Sequence, residues 1–187
     1  MGTGLAEAVR VLRRGGLVVY PTDTLLGLGA LARHRGAVGR LLAAKGRAAS
    51  QPISLCLSST EEVDRFADLS PSARRFVRRH LPGPYTILVR PSREARRTLA
   101  PPIAGRRTIG IRVPDHPIAR ALAHSGGPIT ATSANRHGEA PARSRAEARR
   151  GLGRSVAVYL PAEPAGSGAP STLVDLTGPE PRLVARS

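Results

Sequence analysis

Strand-like and helix-like segments alternate along the 187 residues, which predicts an α/β domain with a twisted mixed β-sheet flanked by helices. Three observations carry that expectation. Short apolar runs of strand length, such as Leu17 to Tyr20 and Ile53 to Leu57, separate stretches whose apolar residues recur at helical spacing. Gly and Pro mark the joints between the two kinds of segment. The chain has the length of one domain, with no internal repeat and no linker, so residues 1–187 are expected to form a single unit.

Leu5, Ala8, Val9 and Leu12 place a first amphipathic helix over residues 3–14, ended by Gly15-Gly16. Leu17 to Tyr20 is a buried strand stopped by Pro21, followed by a hydroxyl-rich turn with Gly27 and Gly29. Val38, Leu41 and Leu42 set a helix over Gly36 to Lys45, and Gly46 sits where a left-handed C-terminal cap belongs. Ile53 to Leu57 is the next strand, and Thr60-Glu61-Glu62-Val63 starts a helix with acids in its first turn. Ser70 caps a further helix with Pro71 at its first position, running to about His80 before Pro82-Gly83-Pro84 breaks the chain. Tyr85 to Val89, Thr108 to Val113 and Ile129 to Thr132 read as strands, the last two separated by a helix over 117–124. Ala140 to Ser144 is a loop, Ala146 to Arg150 a short helix and Val156 to Leu160 a strand. Pro161 to Pro170 is a Pro/Gly/Ala-rich loop, and Ser171 to Leu176 and Arg182 to Ala185 close the chain as strands.

Three Tyr, two Phe and no Trp leave the core to Val, Leu, Ile and Ala, and argue against RNA recognition by stacked aromatic rings. The net charge of +16 favours polyanions through counterion release, although arginine-rich solvated faces account for the same number by keeping the protein in solution. The lone cysteine, Cys56, has no partner for an internal disulfide and fits a reducing compartment. No run approaches the ~18 apolar residues of a membrane span, and cytoplasm is the default location.

Lys45 is the only lysine among 29 cationic residues, so 28 are arginine, which points to a position needing a compact ammonium. Lys45 and Arg47 can reach one site only if the backbone leaves the helix between them, as Gly46 permits. Two such cations suit a triphosphate, or simply complement the helix dipole. Thr22, Asp23 and Thr24 follow a strand and precede two glycines that allow close approach of a ligand, or form an ordinary turn in which Asp23 bonds its own backbone. The spacing is not that of a P-loop. Thr130 to Asn135 ends a strand with four small polar side chains, which places Thr132, Ser133 and Asn135 where open α/β sheets bind ligands. Thr108 and Arg112 share a strand face, and an arginine there needs an internal carboxylate or an anionic ligand. There is no catalytic triad and no metal-ligand cluster. His116, between Asp115 and Pro117, is a turn or helix-entry residue.

The segments PTDTLLGLGA (21–30), KGRAASQPISL (45–55), LPGPYTILV (81–89), TIGIRVPDHP (108–117), TSANRHGEAP (132–141) and STLVDLT (171–177), in this order, resemble the YrdC/YciO-like family. That resemblance implies one YrdC-like domain with a basic concave face. It also implies a nucleotidyltransferase that condenses L-threonine, bicarbonate and ATP into threonylcarbamoyl-AMP and pyrophosphate, with Mg2+ on the phosphates. The product would serve N6-threonylcarbamoyladenosine formation at tRNA position 37, through further transfer proteins and with tRNA or double-stranded RNA as a partner. By resemblance Lys45 and Arg47 are catalytic and bind ATP with Gln51, Thr108, Ser133, Asn135 and Arg186, while Thr24, Arg112, Thr132 and Ser171 hold threonine. Leu26 stands in place of the family's usual tyrosine, Ala48 of a proline, His137 of a serine and Cys56 of a threonine-contacting histidine. The combination of ISLCLSS with LPGPYTILV and TIGIRVPDHP looks closer to the YciO branch. The alternatives are therefore an RNA-binding protein without synthase activity, and an enzyme acting on the modified nucleoside or on another carbamoyl acceptor.

Overall fold

The computed structural model describes residues 3–105, 107–161 and 166–185. Along the chain the elements are α1 (Thr3–Arg13), β1 (Val18–Tyr20), β2 (Gly27–Gly29), α2 (Arg35–Lys45), β3 (Ser54–Cys56), α3 (Val63–Phe66), β4 (Ala67–Asp68), α4 (Pro71–His80), β5 (Tyr85–Pro91), α5 (Arg93–Thr98), α6 (Pro101–Ala104), β6 (Ile109–Arg112), α7 (Pro117–Gly126), β7 (Ile129–Ser133), α8 (Arg145–Leu152), β8 (Val158–Tyr159), β9 (Thr172–Asp175) and β10 (Arg182–Leu183). The strands form one mixed sheet in the order β10-β9-β5-β6-β3-β7-β2-β1-β8, with β4 on β5. Three pairs are parallel (β1 with β8, β3 with β6, β5 with β9), and the others, including the run β3-β7-β2-β1, are antiparallel.

Strand alternation sorts the side chains into two layers. Val19, Leu55, Ile87, Val89, Ile109, Ile111 and Val174 point to one face, which packs on α2, α4, α8 and the short helices between β3 and β6. Val18, Tyr20, Cys56 and Ile129 point to the other, where Ala8 and Leu12 of α1 and Ala119, Leu122 and Ala123 of α7 cover them. These two helices cover only part of that second face. Beyond them it lies open and carries Ser54, Thr86, Gly110, Arg112, Ala131 and Ser133.

Local chemistry sets the helix ends. Ser70 Oγ accepts from Ala73 N at 3.2 Å and Pro71 opens α4, as its sequence requires. Gly46 takes φ 63°, its N–H reaching Ala43 O at 3.0 Å while Arg47 N reaches Leu42 O at 2.9 Å, a Schellman closure of α2. His116 enters α7 as its N-cap, Nδ1 accepting from Ile118 N at 3.2 Å.

The structure corrects several sequence expectations. Gly27 to Gly29 is not part of the turn but an inner strand between β1 and β7. Its glycines admit a protein ring: a Cβ on Gly27 would stand 2.6 Å from Tyr20, whose hydroxyl donates to Thr130 O at 2.9 Å. The helix expected from Thr60 begins at Val63 and lasts one turn. Glu62 folds back, its carboxylate accepting from Ser58 N and Oγ at 2.9 and 2.8 Å. Strand β4 and helices α5 and α6 were not expected at all. Among the described residues no helix is long and apolar enough to cross a membrane.

Two outcomes follow from this packing. Gly27→Ala should lower stability by about 1–3 kcal/mol in urea unfolding, because the new methyl collides with the Tyr20 ring inside the sheet. Cys56 is fully buried and burial pushes its thiol up to about 12. It should therefore resist a disulfide reagent at pH 8 in the folded protein and react stoichiometrically once unfolded.

Candidate active site

The open part of the sheet is the floor of a cavity of about 580 Å3, within the roughly 300–1,000 Å3 range of small-molecule sites. One wall is the turn that follows β1. Thr22 Oγ1 donates to Leu25 O at 2.6 Å, accepts from Thr24 N at 3.1 Å and meets Thr24 Oγ1 at 3.1 Å, so the Thr22 hydroxyl makes the local turn bonds. Asp23 does not bond its own backbone. It turns to β6, where its Oδ1 accepts from the Arg112 guanidinium at 2.5 Å. The arginine within the apolar strand thus has an internal carboxylate, and the pair couples the turn to the sheet. Asp23 Oδ2 and Arg112 Nε are buried without a partner.

A strap from the far end of the chain holds the turn from outside. Ser167 N donates to Asp23 O and Gly168 N to Thr24 O, both at 3.0 Å. Gly166 lies so close that a Cβ would fall 2.5 Å from Thr22 O and Thr24 N. The close approach expected of Gly27 and Gly29 toward a ligand is made here, backbone to backbone.

The opposite wall is the end of α2 against the end of β7. Lys45 is 3% exposed, and its Nζ donates to Ser133 O and Asn135 O at 2.6 Å each. A lysine has three donors, so one N–H is left for the cavity. His137 N returns a bond to Lys45 O at 2.7 Å, locking the loop after β7 onto the helix end. The left-handed turn at Gly46 swings Arg47 back to the same cavity, as the spacing required. Arg47 spends Nε on Gln51 Oε1 at 3.0 Å. Burial, and then the neighbouring Arg47 charge, lower the Lys45 ammonium to about 8, while desolvation lowers Arg47. Among the described residues the lining side chains include three cations, Lys45, Arg47 and Arg112, and no carboxylate.

Of the residues expected from sequence, Thr24, Lys45, Arg47, Thr108, Arg112, Thr132, Ser133, Asn135 and Ser171 line this one cavity. Gln51 is not among the lining residues, and its Oε1 accepts from Arg47 Nε. Cys56 is not among them either. It is on the cavity face of β3 but one step beyond Ser54, under α1 and α7 with Tyr20. Asn135 commits its Nδ2 to its own loop, donating to Arg136 O and Glu139 O at 2.9 and 2.7 Å, while its buried Oδ1 has no partner. Arg186, and part of the Pro161 to Pro170 loop, lie outside the described residues. Sequence reasoning missed Ser54 and Thr86, the latter sharing a 2.7 Å hydroxyl bond with Ser171. The available signal was a small polar residue at alternate positions of an apolar strand, the same signal that Thr108 and Arg112 gave. Leu26 lines the cavity and also a neighbouring one of about 430 Å3 under the strap.

Comparison with known proteins agrees with this arrangement. The Sua5/YciO/YrdC family profile, described as telomere recombination, matches residues 10–187. A threonylcarbamoyl-AMP synthase of Thiobacillus denitrificans is 39% identical over 167 residues, covering 88% of this chain and 87% of that protein. The structure of P. abyssi Sua5 complexed with L-threonine superposes with a TM-score of 0.87 at 31% identity over 96% of this chain; the chain spans 52% of that protein. E. coli YciO matches with a TM-score of 0.82 at 28% identity, over 97% of this chain and 88% of that one. The chain belongs to the Sua5/YciO/YrdC family.

Proposed function

We propose that the protein is an L-threonylcarbamoyladenylate synthase. The observation that carries this reading is the convergence of Lys45, Arg47 and Arg112 with the hydroxyls of Thr24, Ser133 and Ser171 on one cavity whose described lining has no carboxylate. Relatives that share most of the chain's length carry the synthase name, and a threonine complex of a structural relative supports the same substrate.

The residues suit the chemistry. Threonine's amine and bicarbonate give N-carboxythreonine with loss of water. The new carboxylate oxygen then attacks the α-phosphorus of ATP, the bond from that phosphorus to the α,β-bridging oxygen breaks, and pyrophosphate leaves with the electron pair on that oxygen. Such a displacement calls for positioning and charge stabilisation rather than a covalent nucleophile. In this reading the free N–H of Lys45 and the outer nitrogens of Arg47 take the triphosphate, Ser133 and Thr108 flank the nucleotide, and Asn135 and Gln51 act by fixing Lys45's loop and Arg47. Arg112, held by Asp23, faces the threonine carboxylate, with Thr24, Thr132 and Ser171 around the amino acid. Mg2+ enters with ATP as part of the substrate: among the described residues no group of three His, Cys, Asp or Glu could hold it, and the hydroxyls on the cavity wall suit a magnesium–phosphate unit. The mixed anhydride formed is passed to tRNA by further proteins.

Incubation with ATP, bicarbonate and L-threonine should release pyrophosphate only when threonine is present. Lys45→Ala should lower kcat/KM about 100-fold or more, the cost of removing one preorganised donor from a site of developing charge. Release that ignores threonine, or a Lys45→Ala enzyme of normal rate, would sink the reading.

The depressed Lys45 also gives a pH signature. The folded-state value of about 8 is below the unfolded value of about 10.4, so the buried ammonium costs stability below pH 8 and the cost is relieved as pH rises between these values. A bound phosphate favours the charged form. ATP affinity measured by calorimetry should therefore weaken as pH rises above about 8, by at most about tenfold per pH unit, and be flat across that range in Lys45→Ala.

A further inference from the structure

We propose that His116 is a positioning residue for Arg112. Its Nε2–H donates, directly or through one bridging water, into the buried side of the Asp23–Arg112 pair and fixes the angle at which the guanidinium faces the cavity. This role rests on the synthase reading only in what that guanidinium then meets, the threonine carboxylate. His116 is not among the residues that line the cavity, so it acts through others.

Among the described residues four buried side-chain atoms have no hydrogen-bond partner, and three of them are Asp23 Oδ2, Arg112 Nε and His116 Nε2. The fourth, Asn135 Oδ1, belongs to the opposite wall. An unpartnered polar atom in a protein interior is uncommon and calls for a reason. Here the three are chemically complementary. Asp23 Oδ2 is an acceptor and Arg112 Nε a donor. His116 Nδ1 accepts from Ile118 N at 3.2 Å, so the ring carries its proton on Nε2, which makes that nitrogen a second donor. Two donors and one acceptor are a set that one water, or a small rotation of the ring, would join.

Helix capping alone does not account for the ring. Serine, asparagine or aspartate would cap α7 as well without burying a second nitrogen, whereas His116 is 5% exposed and Arg112 8%. Burial lowers the imidazole and keeps it neutral. Of the charges that oppose this, Asp23 in the turn after β1 acts more strongly than Asp115, the neighbour in the chain. The carboxylate that holds Arg112 is thus the one the ring senses most. His116, Asp23 and Arg112 form a series from the start of α7 to the cavity, and Arg112 is its lining member. A single bond from Arg112 Nη2 to Asp23 Oδ1 leaves the carboxylate free to turn about its broad terminal torsion. A second anchor on Oδ2 removes that freedom, and with it the play of the guanidinium.

Two substitutions separate the ring's two nitrogens. His116→Asn keeps an acceptor for the helix cap but lacks the reach toward Asp23. In the pyrophosphate-release assay it should raise the KM for threonine about tenfold, the worth of a hydrogen bond to a charged group, with the KM for ATP and kcat changed less than about threefold. His116→Gln places an amide N–H about where Nε2–H stood and gives up the cap. It should recover most of the threonine loss while melting about 2–4 °C lower. Long-range 1H–15N spectra, assigned by the signal that His116→Gln removes, should show the proton on Nε2 and a shift of that resonance in Asp23→Asn. A normal threonine KM in His116→Asn, an equal rise in its KM for ATP, or no recovery in His116→Gln would overturn the proposal. So would a proton on Nδ1 or a resonance indifferent to Asp23→Asn. The spectrum is read without turnover: if no threonine-dependent pyrophosphate is released, the synthase reading fails, and the spectrum still decides whether His116 holds Asp23.

Discussion

One ammonium holds a wall of the cavity together. Lys45 Nζ reaches the carbonyls of Ser133 and Asn135 across roughly ninety residues of sequence, and joins the last turn of α2 to the end of β7. Burying a cation is unfavourable unless it is paired, and here its partners are two carbonyl dipoles rather than a carboxylate. Its charge is therefore solvated but not neutralised. A guanidinium could not do the same: its planar fork would need both carbonyls in its plane and would leave no compact point charge for the cavity. The single lysine in an arginine-rich chain is the sequence trace of that geometry.

Arg112 illustrates the opposite treatment of a buried charge. It is neutralised by Asp23, so the cavity has one uncompensated wall at Lys45 and Arg47 and one compensated wall at Arg112. The first attracts multiply charged groups, and the second presents a net-neutral pair to which a zwitterion is better matched than a phosphate. The segregation of a triphosphate from an amino acid can thus rest on charge balance, with little demand on shape. The strap of Gly166 to Gly168 serves the compensated wall, since it holds the turn from which Asp23 reaches.

Much of the architecture was legible because its signals are local. Apolar alternation marked the inner strands, Ser70-Pro71 marked a helix start, and Gly46 marked the cap that turns Arg47 back to Lys45. The cavity residues were legible where a polar side chain interrupts an apolar strand, as at Arg112. The errors arose where the deciding contact is distant. Gly27 and Gly29 look like turn residues, yet they are strand residues because the Tyr20 ring lies across them. Gln51 sits at a motif position that suggests ligand contact, but its side chain is engaged by Arg47, a contact that no local pattern records, whereas Cys56 is buried under α1 and α7 as its apolar run suggests. Helices α5 and α6, of six and four residues, are too short for periodicity to announce them.

The large positive charge, read from composition, had two readings: polyanion attraction or mere solvation. The structure separates them by position. Cations inside the cavity are few, individually hydrogen-bonded and partly desolvated, so they act at short range on a small ligand. The arginines of α4 are exposed, with Arg74 paired to Asp64 and Arg78 and Arg79 in the last turn where the dipole favours them, so they act at the solvated surface. Screening makes the same distinction, because salt weakens exposed charges far more than buried ones. Charge number is therefore a poor guide to what this protein binds, whereas the burial and pairing of each charge set the range over which it acts.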